Sequence, residues 1–172
     1  SEGTTTVKAT FKTDSGTIYT DSMTVTVKEA DSTQKIVPIK SWETFNRLTQ
    51  DNDIKLEDGV YRLTEDQMKG IKKVSLESYD AKISKDDMSG LDQAVNCEEF
   101  MAGYNGFDYT QIRSLVEGYT KLKSLSLQGV YINQDEFNEL LASNKNLEEL
   151  QIYFYTDEDD QVEDFSKLKE LT

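Results

Sequence analysis

The sequence predicts an α/β fold of stacked units: a solenoid with parallel strands on its concave face and helices on its convex face, entered through a β-hairpin. Three observations carry this. From residue 71 on, one apolar signature recurs every 24 to 26 residues, at positions 1, 4 and 6 of each unit. A helix-capping pair follows the first three of these signatures, and an acidic run follows the fourth. The first 29 residues instead alternate apolar and polar side chains, the period of a strand.

Residues 1–29 read as a hairpin. Val7, Ala9 and Phe11 alternate with polar residues, Thr13-Asp14-Ser15-Gly16 signals a turn, and Met23, Val25 and Val27 alternate again. The phase slips between Ile18 and Met23, which predicts a bulge near Asp21-Ser22. Residues 30–40 are polar, hold the only proline, Pro38, and read as a linker. Residues 41–70 read as a cap helix and an atypical first unit. Ser41 is the expected N-cap, and Trp42, Phe45 and Leu48 form an expected apolar stripe. That stripe, Trp42 included, is expected to plug the open end of the stack. Ile54 and Leu56 then stand in for positions 4 and 6.

Residues 71–172 hold the regular units. They read Ile71-x-x-Val74-x-Leu76, Cys97-x-x-Phe100-x-Ala102, Leu122-x-x-Leu125-x-Leu127 and Leu147-x-x-Leu150-x-Ile152. Leu171 opens a fifth unit that Thr172 cuts off, so the array is expected to be C-terminally truncated. The capping pairs are Thr64 with Gln67, Ser84 with Asp87, Asp108 with Gln111 and Asn133 with Glu136. Apolar residues at helical spacing follow: Met88, Leu91 and Val95; Ile112 and Leu115; Phe137, Leu140 and Leu141. In the last unit Val162, Phe165 and Leu168 predict a helix. The acidic run Asp157-Glu158-Asp159-Asp160 before it reads as a solvated helix start rather than a calcium loop, since it lacks the glycine and spacing of one.

This Leu-x-x-Leu-x-Leu pattern resembles that of the leucine-rich repeat family, clearly over residues 71–172 and loosely over 54–70. Position 9, where that family places Asn, Cys or Thr, is Tyr79, Asn105, Val130 and Tyr155 here, so its asparagine ladder is missing. Residues 1–29 are similar to the end of a bacterial immunoglobulin-like domain, through Val-x-Ala-x-Phe, the Asp-Ser-Gly turn and the Met-Thr-Val-Thr-Val-Lys ending. Together the two likenesses imply an internalin-like, adhesin-type surface protein of a Gram-positive kind of bacterium, hence an extracellular protein, secreted or at the cell surface.

Composition narrows the function. The 172-residue chain has a formal charge of −14, which argues against nucleic acid and against an anionic membrane surface. No apolar run reaches the roughly 18 residues of a membrane span, so no direct membrane insertion is expected. With no histidine, Ser-His-Asp and Cys-His machinery is excluded within the chain. Cys97, the only cysteine, stands at position 1 of its unit and reads as a buried, inert thiol. No cofactor, metal site or catalytic residue is expected.

The expectation is therefore a non-enzymatic binding module that recognises a host or neighbouring-cell protein or glycan. The alternative is a structural spacer in a larger surface protein. A glycoside hydrolase working through paired carboxylates is the third reading, but no pair stands out from the charged surface. On the strands, positions 3, 5 and 7 should share one face. Charges at positions 2 and 3 alternate in sign from unit to unit, as in Lys72, Glu98, Lys123 and Glu148, which suits cross-strand pairing. The candidate ligand-binding residues are Met101, Tyr104, Gln128, Gln151, Tyr153 and Tyr155. Tyrosines gather at strand ends, where Tyr79 and Tyr109 also lie, and tyrosine joins contact area to a hydroxyl.

Overall fold

The computed structural model describes residues 3–27, 34–56, 61–77, 83–154 and 162–170. The chain divides into two units, Ser1–Lys35 and Ile36–Thr172.

In the first unit, β1 (Gly3–Lys12) and β2 (Ile18–Val27) pair antiparallel. The register runs unbroken from Gly3 opposite Val27 to Lys12 opposite Ile18, so the bulge expected near Asp21-Ser22 does not exist. Strand alternation explains the apparent slip. Phe11, Val7, Tyr19 and Met23 share one face, while Ile18 falls on the threonine-rich face. The turn is closed by Thr13 N–H to Thr17 O at 2.9 Å and Gly16 N–H to Thr13 O at 2.9 Å. Gly16 adopts φ +84°, a conformation glycine takes without a Cβ penalty.

The second unit begins with β3 (Ile36–Val37), which pairs antiparallel with β4 (Leu63–Thr64). Val37 is buried, so the end of the stretch read as a linker belongs to this unit's core. Between them lies α1 (Trp42–Asp51), capped by Ser41 Oγ, which accepts from Thr44 N–H. Phe45 and Leu48 are buried, but Trp42 is 61% exposed. The expected plug is therefore Phe45 and Leu48 alone. At 3.6 residues per turn, two steps of three carry Leu48 about 120° around the helix from Trp42, so one face cannot hold both. Trp42 stacks on Phe45 (5.6 Å between ring centres) and meets Tyr61 edge-on at 5.4 Å. Next, α2 (Glu65–Gly70) starts with a full capping box: Thr64 Oγ1 accepts from Gln67 N–H, and Gln67 Oε1 accepts from Thr64 N–H.

Four strands follow: β5 (Lys73–Glu77), β6 (Glu99–Asp108), β7 (Ser124–Tyr131) and β8 (Glu149–Phe154). They form one parallel sheet in chain order. Val74, Leu76, Phe100, Ala102, Leu125 and Leu127 are buried on its inner face, and Ile71, Cys97, Leu122 and Leu147 are buried at the strand entries. Each entry is tied to the next by a shared carbonyl. Lys72 O accepts from Glu98 and Glu99 N–H, Glu98 O from Lys123 and Ser124 N–H, and Lys123 O from Glu148 and Glu149 N–H, all at 2.8–3.0 Å.

The inner face is covered by α3 (Arg113–Gly118), α4 (Gln134–Ser143) and short 3₁₀ turns at Leu91–Gln93, Tyr109–Gln111 and Ser166–Glu170. This cover overturns the leucine-rich-repeat solenoid expected from the repeat. Such an array needs one equivalent connection per unit, and among the described residues no two connections agree. After β5 come turns and a single 3₁₀ turn, after β6 a 3₁₀ turn and a six-residue helix, after β7 a ten-residue helix, and after β8 only 3₁₀. The strands also lose step, with register shifts between Gly103 and Phe107 and between Gln128 and Val130. The fold is a mixed α/β domain with a parallel sheet and only four α-helices among the described residues.

Local chemistry explains the failed helices. Ser84 and Asp87 do exchange their capping bonds, yet no α-helix follows. Gly90 sits at φ +77°, where a Cβ would lie 2.7 Å from Ile39 Cδ1 and from Val37 Cγ1. The chain is left-handed there and lies tight against Val37 and Ile39, where a continuing helix of side-chain-bearing residues would not fit. In the last unit, Gln134 anchors the chain before its 3₁₀ turn. Its Oε1 accepts from Glu163 and Asp164 N–H, and its Nε2 donates to Asp164 O.

Candidate binding face

The site is built by strand alternation. With Val74, Phe100, Leu125 and Leu150 turned inward, residues one position away turn outward. Two rows of candidate residues thereby cross the sheet. Ser75, Met101, Ser126 and Gln151 lie side by side, and so do Glu77, Gly103, Gln128 and Tyr153. Four of the six predicted residues, Met101, Gln128, Gln151 and Tyr153, thus share one face. Tyr155 lies outside the described residues. Tyr104 belongs to β6 by its backbone, and its side chain lies outside what is described.

The face has relief. Ser75 and Ser126 are small and buried among their neighbours, and Gly103 has no side chain, so the surface dips there. Gly103 is required. A Cβ at this position would come within 2.7 Å of Gln128 Cβ and 3.2 Å of Gln128 O. Met101 and Gln128 are half-buried, while Gln151 and Tyr153 stand exposed at the β8 side. Gln151 Nε2 donates to Tyr153 Oη at 3.0 Å, and Ser126 Oγ lies 3.4 Å from Gln151 Oε1. A chain of polar contacts therefore holds the exposed Tyr153 ring in place.

Toward the strand entries the face is ionic, as the sign alternation predicted. Glu98 is gripped by Lys72 at 2.5 Å and Lys123 at 3.3 Å, and Lys73 lies 3.8 Å from Glu99. Hydrogen bonds from Lys72 and Lys123, together with their charge, hold the Glu98 carboxyl below its usual range. Ser124 Oγ donates to Glu149 at 3.1 Å. A shallow depression of about 400 Å³ lies at this end, lined by Glu98, Thr120, Lys121, Lys123, Asn146 and Glu148.

Arg47 escaped the sequence reading. It pairs with Glu43 at 3.2 Å, and its other terminal nitrogen lies 3.4 Å from Ser75 Oγ, so α1 reaches onto the rim of the face. The Glu43/Arg47 spacing of four was the available signal, since it places both on one helix side.

Other features carry no site chemistry. Cys97 is fully buried and donates to Glu99 O, and burial pushes its thiol up to about 12. Tyr109 is also fully buried, with its hydroxyl pushed up by desolvation, so it offers nothing to a ligand. Tyr79 and the acidic run Asp157–Asp160 lie outside the described residues. Among the described residues no group of three or more Asp, Glu, Cys or His side chains is placed to hold a metal, and no helix is long and apolar enough to cross a membrane. No protein-family profile and no curated protein sequence matches this chain.

Proposed function

We propose that this chain is a non-enzymatic, extracellular binding module that recognises a protein or glycan with the outward face of its parallel sheet. The observation that carries the reading is the Tyr153–Gln151 pair. Tyr153 is 57% exposed, yet its hydroxyl is fixed by the Gln151 amide. An exposed aromatic ring with a restrained position gives a ligand contact area at a small ordering cost, and the adjacent amides supply donors and acceptors. Gln128 and Met101 extend the contact across the dip at Gly103, Ser75 and Ser126. The non-enzymatic reading is supported by the missing histidine and the inert Cys97 thiol. The extracellular location rests on the likeness of residues 1–29 to the end of a bacterial immunoglobulin-like domain.

The test is a titration of the whole chain against arrays of purified cell-surface proteins and glycans, repeated with Tyr153→Ala and Gln151→Ala. A ligand whose affinity falls about tenfold or more in Tyr153→Ala supports the reading. Binding that ignores both substitutions, or no binding at all, overturns it and leaves the chain as a spacer.

A further inference from the structure

The outward rows of the sheet are nearly free of charge, and the charges around them already have partners. Ser75, Met101, Ser126 and Gln151 make one row, and Glu77, Gly103, Gln128 and Tyr153 make the next. Of these residues only Glu77 carries a charge at neutral pH, and it is an acid. The lysines of the entry rows are engaged by carboxylates: Lys72 and Lys123 by Glu98, Lys73 by Glu99. At the rim Arg47 pairs with Glu43. Large apolar surface is scarce too, since Met101 is half-buried beside the exposed Tyr153. Amides and hydroxyls are what the rows present. Gln128 is half-buried between Gly103 and Tyr153, and its amide has no partner among the described residues. Tyr153 Oη accepts from Gln151 Nε2, so its own proton is left to donate.

This rests on the reading of the face as a binding surface: we infer that its ligand is an uncharged oligosaccharide, laid across the strands with one pyranose ring on Tyr153 and its hydroxyls bonded by Gln128, Gln151 and the Tyr153 hydroxyl. Charge disfavours an acidic glycan, which would need cations on a chain of formal charge −14 whose nearby lysines are paired. Scarce apolar surface disfavours a protein, because protein interfaces centre on desolvated aromatic and aliphatic anchors. A sugar needs neither. Its ring C–H groups pack on an aromatic face, and each hydroxyl both donates and accepts, as a glutamine amide does. The dip at Ser75, Gly103 and Ser126 gives such a chain room to lie, and from β8 to β5 is three strand spacings, about 14 Å. Met101, Gly103, Ser126 and Gln128 lie on β6 and β7, which have a strand on each side, so the centre of the face keeps its shape whatever lies beside β8.

The probes are the neutral sugars cellohexaose, maltohexaose, mannohexaose and chitohexaose, with a heparin hexasaccharide as the anionic comparison. Each is titrated into the whole chain by calorimetry. Saturable binding of at least one neutral probe is expected, unchanged by added salt, with none for heparin. Affinity should fall roughly tenfold or more in Tyr153→Ala, and less in Tyr153→Phe, which keeps the ring. In Gln128→Ala it should fall about fivefold, the loss of a hydrogen bond or two. Unfolding midpoints measured alongside show that the variants fold, and the heparin and salt comparisons need no variant at all. No saturable binding by any neutral probe, tighter binding of heparin, affinity that drops steeply with salt, or neutral binding that survives Tyr153→Ala would each overturn the inference. Binding of a purified surface protein that is lost in Tyr153→Ala, with no neutral sugar bound, would overturn the sugar assignment and leave the binding face standing.

Discussion

Asn52 pairs with Lys73 as if it were a strand. Its Nδ2 donates to Lys73 O at 2.8 Å, and its Oδ1 accepts from Lys73 N–H at 2.9 Å. The same oxygen takes Lys72 N–H at 2.8 Å, and the same nitrogen reaches back to Leu48 O at 2.9 Å. One side chain thus caps the end of α1 and seals the β5 edge. Strand edges left unpaired invite other chains, so this amide is also a barrier to association on that side.

Asn52→Ala should lower the stability of the second unit by about 2 kcal/mol, since several main-chain groups lose their partner at once. Asn52→Asp should fare little better, because a carboxylate accepts but cannot donate to Lys73 O. Urea unfolding checks this: the midpoint should fall with the slope unchanged. Unaltered midpoints would show that water replaces the amide without loss.

Gly103→Ala should destabilise by about 1–3 kcal/mol, the usual range for overpacking. The added methyl would meet Gln128 Cβ and the Gln128 carbonyl, and the carbonyl belongs to the backbone of β7 and cannot rotate away. Thermal unfolding measures the loss. Met101→Ala, on the same face but half-buried, should cost less.

Acid should weaken the sheet through Glu98. Its carboxyl is held below the ordinary value of 4.5 by Lys72 and Lys123. A folded-state value below the unfolded one contributes stability that is fully present above the unfolded value and is lost as pH falls through the folded one. Unfolding midpoints measured downward from neutral pH should therefore decline below about 4.5 more steeply in the unaltered chain than in Glu98→Gln. Added salt should shrink the difference, because these groups are solvent-screened.

Cys97 should resist modification. With the thiol raised to about 12 and fully buried, almost no thiolate exists at pH 8. A thiol-reactive dye should label the folded chain only as fast as it opens, and label it at once in denaturant. Rapid labelling of the folded chain would show that the strand entry at position 97 opens freely.

Much of this was legible along the chain because it depends on neighbours in sequence. The repeat of apolar positions places Val74, Phe100, Leu125 and Leu150 inward on parallel strands, and strand alternation then commits Met101, Gln128, Gln151 and Tyr153 to a common outward face. Capping pairs such as Thr64/Gln67 and Asn133/Glu136 act over three residues, and they form as their spacing requires. The alternating charges of Lys72, Glu98 and Lys123 meet because strand neighbours repeat in step. Tertiary structure decided what the period does not contain. It set how the connection after β5 runs, since Gly90 is left-handed there and packs so closely on Val37 and Ile39 that a Cβ would clash with both. It sealed one sheet edge with Asn52 from a distant helix end, and among the described residues it covers Leu150, Ile152 and Phe154 only in part. Local patterns fix which way a side chain points; contacts between segments far apart in sequence fix what it meets, and those contacts turned a regular sequence repeat into an irregular fold.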